Sequence, residues 1–216
     1  MLIQWLGHAC FLLQSESGKR VLTDPFNEKV GYPLPHVEAE IVTVSHQHFD
    51  HNAVTVVRGR PKVIQEPGEH RVAEISVKGV STFHDKERGA KRGANIVFVI
   101  NLDALNVCHL GDLGHSLSRE QLDRIGRVDV LLIPVGGTFT IDAAEAVQTV
   151  AAIEPRIAVP MHYKTAYMDF PITGVEEFTK HYDRVSHRDR LEVTSDGLPE
   201  QTEVVVVAFS GGRVGS

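Results

Sequence analysis

The sequence predicts a mixed α/β fold, two sheets with helices on their outer sides. Two observations point there. The opening is β-rich, a series of short apolar runs broken by turn residues. From about residue 118 onward, strand-like runs alternate with helical patterns. No linker-like segment, internal repeat or low-complexity tract divides the chain, so residues 1–216 read as a single domain.

Leu2–Leu6, Cys10–Gln14 and Arg20–Thr23 are apolar runs separated by Gly7-His8 and Ser15–Lys19, as in a meander. Residues 24–40 contain Pro25, Gly31, Pro33 and Pro35 and form a loop. Ile41–Ser45 is another buried strand, and it runs directly into His46. Strands are expected at Lys62–Gln65, Arg71–Ile75 and Val77–Phe83, followed by a polar loop, Asp85–Gly93. Ala94–Asn101 and Leu105–Leu110 make a hairpin that turns at Leu102–Ala104. Ser118 opens a helix that runs to Ile125, and Val130–Ile133 is an apolar strand. Asp142 followed by Glu145 is a capping-box-like start for a helix to about Ile153. Ile157–Val159 is a strand, Val175–Tyr182 a helix and Val204–Phe209 a closing strand.

Composition narrows the function classes. With 42% hydrophobic and 23% charged residues, the chain is that of a globular protein, not a disordered one. A formal net charge of −6 argues against a general polyanion-binding surface, so no nucleic-acid partner is expected. Two cysteines, Cys10 and Cys108, exclude a disulfide framework; both sit in apolar strands and read as inert core residues. Met1–Leu13 is apolar, but no Lys or Arg precedes it, Gln4 and His8 interrupt it, and no small-residue cleavage site follows. No apolar run approaches the ~20 residues of a membrane span. The expected location is the cytoplasm. The unusual number is twelve histidines.

Their arrangement carries the chemistry. In Ser45-His46-Gln47-His48-Phe49-Asp50-His51, placed immediately after a buried strand, His46, His48, Asp50 and His51 are all side chains that bind divalent transition metals. His46 and His48 point the same way if the chain is still extended there. Asp50 and His51 sit around the bend, offset enough to serve a second metal. The bland alternative is a solvated loop that happens to be rich in histidine. One loop cannot fill two coordination shells, so further ligands are expected at distant strand ends. Asp112, after an apolar strand and Gly111, can bridge two cations about 3.5–4 Å apart. His162, in Pro160-Met161-His162-Tyr163, also follows a strand, and His84, in Thr82-Phe83-His84-Asp85, completes the set. His109 competes with His84, but an extended 109–112 segment leaves it roughly 10 Å back from Asp112. It reads as a core residue or one that supports a ligand.

HxHxDH at 46–51, with a later His, a Gly-Asp and a final strand-end His, resembles the metallo-β-lactamase superfamily. Leu6-Gly7-His8-Ala9, Leu22-Thr23-Asp24-Pro25, Gly111-Asp112, Ile133-Pro134-Val135-Gly136-Gly137 and Pro160-Met161-His162-Tyr163 narrow the likeness. They resemble the small Zn-dependent hydrolases related to L-ascorbate-6-phosphate lactonase and N-acylphosphatidylethanolamine phospholipase D. The resemblance extends to about residue 182. It implies an αββα four-layer sandwich with a dinuclear site at one edge between the sheets. It further implies that His46, His48 and His84 hold one metal, that Asp50, His51 and His162 hold the other, and that Asp112 bridges. Zinc is the first expectation, with manganese or iron compatible with the same donors. Asp50 and Asp112 are the candidate catalytic carboxylates beside a metal-activated hydroxide. The likeness favours Asp24 as a residue that orients a ligand histidine over a mere loop-starting residue. Gly111-Asp112 is followed by Leu113-Gly114-His115 where relatives commonly have threonine, so leaving-group contacts differ.

Other residues keep two readings. His8 is either site lining or a buried polar residue, and His115 either contacts substrate or belongs to a surface turn. His36, His70, His181 and His187 show no ligand spacing and read as solvated. The expected activity is hydrolysis of an ester, lactone or phosphodiester bond in a small molecule. Lys86, Arg88, Lys91 and Arg92, in the loop after His84, favour an anionic substrate. A β-lactamase proper is disfavoured because no cysteine stands near the motif, and a flavin-coupled diiron enzyme because position 48 is His. From a different class, a non-catalytic metal-binding or scaffold protein that keeps the fold remains the alternative.

Overall fold

Short apolar runs cannot bury themselves as helices, and here they pair into two sheets. The computed structural model describes residues 1–211, so residues 212–216 of the expected domain lie outside the described residues. The strands are β1 (Leu2–Trp5), β2 (Phe11–Gln14), β3 (Arg20–Thr23), β4 (Ile41–Thr43), β5 (Lys62–Ile64), β6 (Gly68–Val72) and β7 (Ile75–Phe83). They continue with β8 (Ala94–Leu102), β9 (Leu105–His109), β10 (Val130–Pro134), β11 (Ile157–Met161), β12 (Val185–Arg188), β13 (Leu191–Glu192) and β14 (Glu203–Val207). The helices are α1 (Arg119–Ile125), α2 (Ala143–Ile153) and the single turn α3 (Glu176–Thr179). One sheet has six strands in the order β13-β1-β2-β3-β4-β5, and the other eight, β12-β14-β11-β10-β9-β8-β7-β6.

Most elements fall where the hydrophobic pattern puts them, and both longer helices open on reciprocal capping boxes, Ser118 with Gln121 and Asp142 with Glu145. The helices serve the larger sheet: α1 packs on β7, and α2 packs on β10 and α3. Three expectations are corrected. The strand expected at Arg71–Ile75 straddles a hairpin turn instead, with Val72 opposite Ile75 and Ala73 and Glu74 in the left-handed region. Neither residue is a turn former, so nothing local announced it. The helix expected over Val175–Tyr182 contracts to one turn. β12 and β13 were not expected at all; they are polar or two residues long, and neighbours make them strands, β12 pairing with β14 and β13 with β1.

Phe11, Leu12, Leu13 and Leu22 from one sheet and Phe98, Ile100, Leu131 and Val159 from the other join a single buried cluster. Cys10 and Cys108 lie in it as free thiols, and burial pushes both well up from the ordinary thiol range. No helix among the described residues is long and apolar enough to cross a membrane.

Strand direction positions the site. β3, β4 and β5 run parallel, and β1 shares their direction because it is antiparallel to β2, itself antiparallel to β3. In the other sheet β9, β10, β11 and β14 are parallel, and β7 shares their direction through β8. A parallel bridge between Trp5 and Phe209 brings the two directions into register. The segments after β1, β3, β4, β7, β9 and β11 therefore all emerge at one edge, where carboxyl ends of strands form binding crevices.

Candidate metal centre

Each of those strand ends contributes to one cluster: His8 after β1, Asp24 after β3, His46–His51 after β4, His84 after β7, Asp112 after β9 and His162 after β11. The chain must bend sharply at the edge. His8, Asp24 and His162 do so with positive φ of 53°, 39° and 52°, uncommon for residues with a side chain. Gly111 does so at 56°, and there a Cβ would stand 2.4 Å from Asn95 Oδ1 and 2.6 Å from Ser45 Cβ.

Donor atoms of His46, His48 and His84 lie within 4.8 Å of one another, and those of His8, Asp50, His51 and His162 form a second such group. Asp112 stands between them. Its Oδ2 is 3.2 Å from His84 Nε2, 3.4 Å from His162 Nε2 and 3.9 Å from His46 Nε2, while Oδ1 is 3.3 Å from His51 Nε2. Asp112 is itself held by a buried asparagine. Asn95 Oδ1 accepts from the Asp112 N–H at 3.0 Å, and its Nδ2 donates to Leu110 O and Thr82 Oγ1.

Asp24 sets the tautomers of two histidines. Its carboxylate accepts from the Ser45 N–H at 2.8 Å, the Ser45 hydroxyl at 2.5 Å and His51 Nδ1–H at 2.8 Å. Because the Ser45 hydroxyl proton is given to Asp24, Ser45 Oγ accepts from His46 Nδ1–H at 2.9 Å. Both imidazoles thus turn Nε2 toward the cluster, the usual support of a metal-binding histidine.

Charge in the cluster is unbalanced. Burial first, then the neighbouring His51, drives the His46 imidazole down to about 3, and burial with His162 takes His8 down to about 4. Burial would raise the carboxyls of Asp112 and Asp50, but surrounding histidines reverse this and hold both well below the usual carboxylate range. His51 goes the other way: burial would lower it, yet Asp112 and Asp50 raise it well above 6.5. Nε2 of His46, Nε2 of His51 and Oδ1 of Asp112 are buried without a hydrogen-bond partner among the described residues. Buried lone pairs and carboxylates converging in this way are costly unless something electropositive lies among them. The ionised carboxylates and the neutral imidazole of His46 are in the protonation states that metal ligands need, and a cation would take the place of the proton that Asp112 and Asp50 favour on His51. The residues fit a divalent cation.

The remaining candidates divide. His8 is fully buried behind the cluster and takes no part in the cavity wall; its Nε2–H donates to Asp50 Oδ2 at 3.2 Å, while its carbonyl accepts from Trp5 Nε1 and the His162 N–H. His109 is a strap: Nε2–H donates to Ala9 O at 2.8 Å and Nδ1 accepts from the Gly111 N–H at 3.2 Å. His115 faces away from the cavity, with Nε2 accepting from the Phe83 N–H and Nδ1–H donating to Ser116 O. It steadies the strand end before His84. His36, His181 and His187 are exposed, and half-buried His70 bonds to Glu66 O. Asn95 and the Ser45 relay escaped the sequence reading, as did the walls of the cavity above the cluster, Phe49, Phe139 and Phe170.

A sandwich of two sheets with this histidine and carboxylate cluster at its strand ends defines a class, the metal-dependent hydrolases of the metallo-β-lactamase fold. Residues 2–162 match the beta-lactamase superfamily domain, and the chain belongs to that superfamily. A UPF0173 metal-dependent hydrolase of Methanosarcina mazei is 32% identical over 208 residues, covering 82% of this chain and 89% of that protein. A crystal structure from Thermotoga maritima, assigned to the Zn-dependent hydrolases of the metallo-β-lactamase superfamily, superposes with a TM-score of 0.81 at 43% identity. It covers 95% of this chain and 97% of that one. A metallo hydrolase of Ignicoccus hospitalis shares the fold, with a TM-score of 0.62 at 19% identity over 94% of each chain.

Proposed function

We propose that the chain acts as one hydrolase domain with a dinuclear centre, cleaving an ester, lactone or phosphodiester bond of a small anionic substrate. The observation that carries this reading is Asp112, a buried carboxylate within 3.9 Å of histidine nitrogens from both donor groups. In this reading His46, His48 and His84 hold one cation, Asp50, His51 and His162 the other, and Asp112 touches both. Zinc suits the mixed imidazole and carboxylate donors, and the Thermotoga relative is described as Zn-dependent. Such a pair of cations lowers the pKa of a bound water and polarises the oxygen under attack.

The chain's own groups do the rest. Asp24 and Ser45 fix the imidazoles of His46 and His51, so no reorganisation is needed during turnover. His8 orients Oδ2 of Asp50, the oxygen 3.7 Å from His51 Nε2 that would hold the cation, and Oδ1 would take the proton of the attacking water and pass it to the leaving group. Arg92, on the cavity wall, meets the negative charge of the substrate. A panel of lactones and phosphodiesters tests the proposal. At least one class should turn over with metal-replete protein, stop with a chelator and resume on adding zinc or manganese. Full metal occupancy with no turnover of either class would favour the non-catalytic scaffold.

A further inference from the structure

The donor cluster floors a cavity of about 500 Å³. Apart from the candidate ligands, its lining is Gln47, Phe49, Arg92, Phe139 and Phe170. The wall is aromatic: Phe139 and Phe170 meet edge to face at 6.1 Å, and Phe170 also packs edge-on against His8 at 5.8 Å. Phe49 is 43% exposed, one of only two large apolar side chains left so open among the described residues. Among the described residues Arg92 is the one Lys or Arg in the lining; Lys29 stands outside it, its ammonium 5.9 Å from the Phe49 ring. Lys86 is paired with Glu145 and Lys91 with Glu87, and Arg88 does not reach the cavity. Arg92 pairs with no carboxylate among the described residues; its guanidinium sits 5.5 Å over the Phe139 ring and donates to Thr138 O at 3.1 Å.

We propose that the substrate is amphipathic, with one carboxylate or phosphate taken by Arg92 and an aromatic or compact alkyl body packed among Phe49, Phe139 and Phe170. This rests on the reading of the donor cluster as a hydrolytic centre. The cavity selects against a polyhydroxylated body. Sugar hydroxyls pressed on three phenyl rings give up their water, and apart from the candidate ligands Gln47 is the one uncharged polar side chain in the lining to replace it. An aryl group, in contrast, gains apolar contact at every wall, and the guanidinium is already stacked beside it.

Calorimetric titration of the metal-replete protein with four probes tests this: methylphosphonate, phenylphosphonate, 4-(phosphonomethyl)benzoate and ribose 5-phosphate. The first reports the cations alone. Phenylphosphonate should bind at least about tenfold more tightly than methylphosphonate, as burial of one phenyl group implies. The benzoate should gain about a further fivefold, as expected of a partly exposed ion pair, and lose it in Arg92→Gln. Phe170→Ala, and Phe49→Ser at an open position, should shrink the phenyl advantage and leave methylphosphonate unchanged. Ribose 5-phosphate should bind no better than methylphosphonate. Equal binding of the phenyl and methyl probes, or tighter binding of ribose 5-phosphate, would overturn the proposal and leave the hydrolytic reading standing. A benzoate tail that adds nothing would overturn the assignment of the anion to Arg92. No metal-dependent binding of methylphosphonate would instead overturn the reading beneath it.

Discussion

Asp24 accepts hydrogen bonds from Ser45 and His51, and through them it chooses which imidazole nitrogen of His46 and His51 faces the cluster. Asp24→Asn keeps the size but puts an amide N–H₂ where a donor must be accepted, so one of the two histidines adopts the wrong tautomer. Metal affinity measured by competition with a chelator should fall about 10–100-fold. Unchanged affinity would make Asp24 a purely structural acid. At this scale the motif residues were legible: HxHxDH, Asp112, His84 and His162 stand at strand ends whose apolar runs are plain in the sequence. Asn95 was not. It sits within a run that reads as an ordinary strand, and its role depends on Leu110 and Asp112 lying across from it, which no local pattern encodes.

Between elements, the loops after β7 and β9 lie back to back. A Cβ on Gly114 would stand 2.3 Å from the carbonyl carbon of His84 and 2.4 Å from the Asp85 nitrogen. Both neighbours are backbone and cannot rotate away. The neighbouring loop resists movement as well, because Asp85 accepts from the N–H groups of Glu87, Gly89, Lys91 and Arg92. Removal from water would raise the Asp85 carboxyl, but those four bonds hold it down to about 2. Gly114→Ala must therefore displace His84 or its own loop. Denaturant unfolding should report a loss of about 1–3 kcal/mol, accompanied by weaker metal binding. Wild-type values for both would mean that the loops yield freely. Gly114 entered the sequence reading only as a departure from relatives, since close backbone approach leaves no periodic trace. The capping boxes of α1 and α2 were readable because they are local, whereas β12 and β13 exist only through β14 and β1.

For the molecule as a whole, the core and the site are separable. Residues such as Phe11, Phe98, Leu131 and Val159 join the two sheets without any donor group between them, so chelation should leave the far-UV circular dichroism unchanged at 25 °C. It should still lower Tm, because a cation that binds only the folded chain adds its binding energy to stability. Loss of secondary structure on chelation would show that the cluster staples the fold. The general architecture was legible because a β-rich opening followed by βα alternation has few solutions. That distant strand ends supply ligands was readable from the residues, because one loop cannot fill two coordination shells. That they meet at one edge between the sheets was implied only by the family likeness, since it depends on strand direction across two sheets. The most direct test of the dinuclear centre is anomalous diffraction from crystals of metal-loaded protein. Two peaks about 3.5–4 Å apart are expected, one beside His46, His48 and His84, the other beside Asp50, His51 and His162, with Asp112 in contact with both. A single peak at full loading, or a pair that Asp112 does not span, would contradict it.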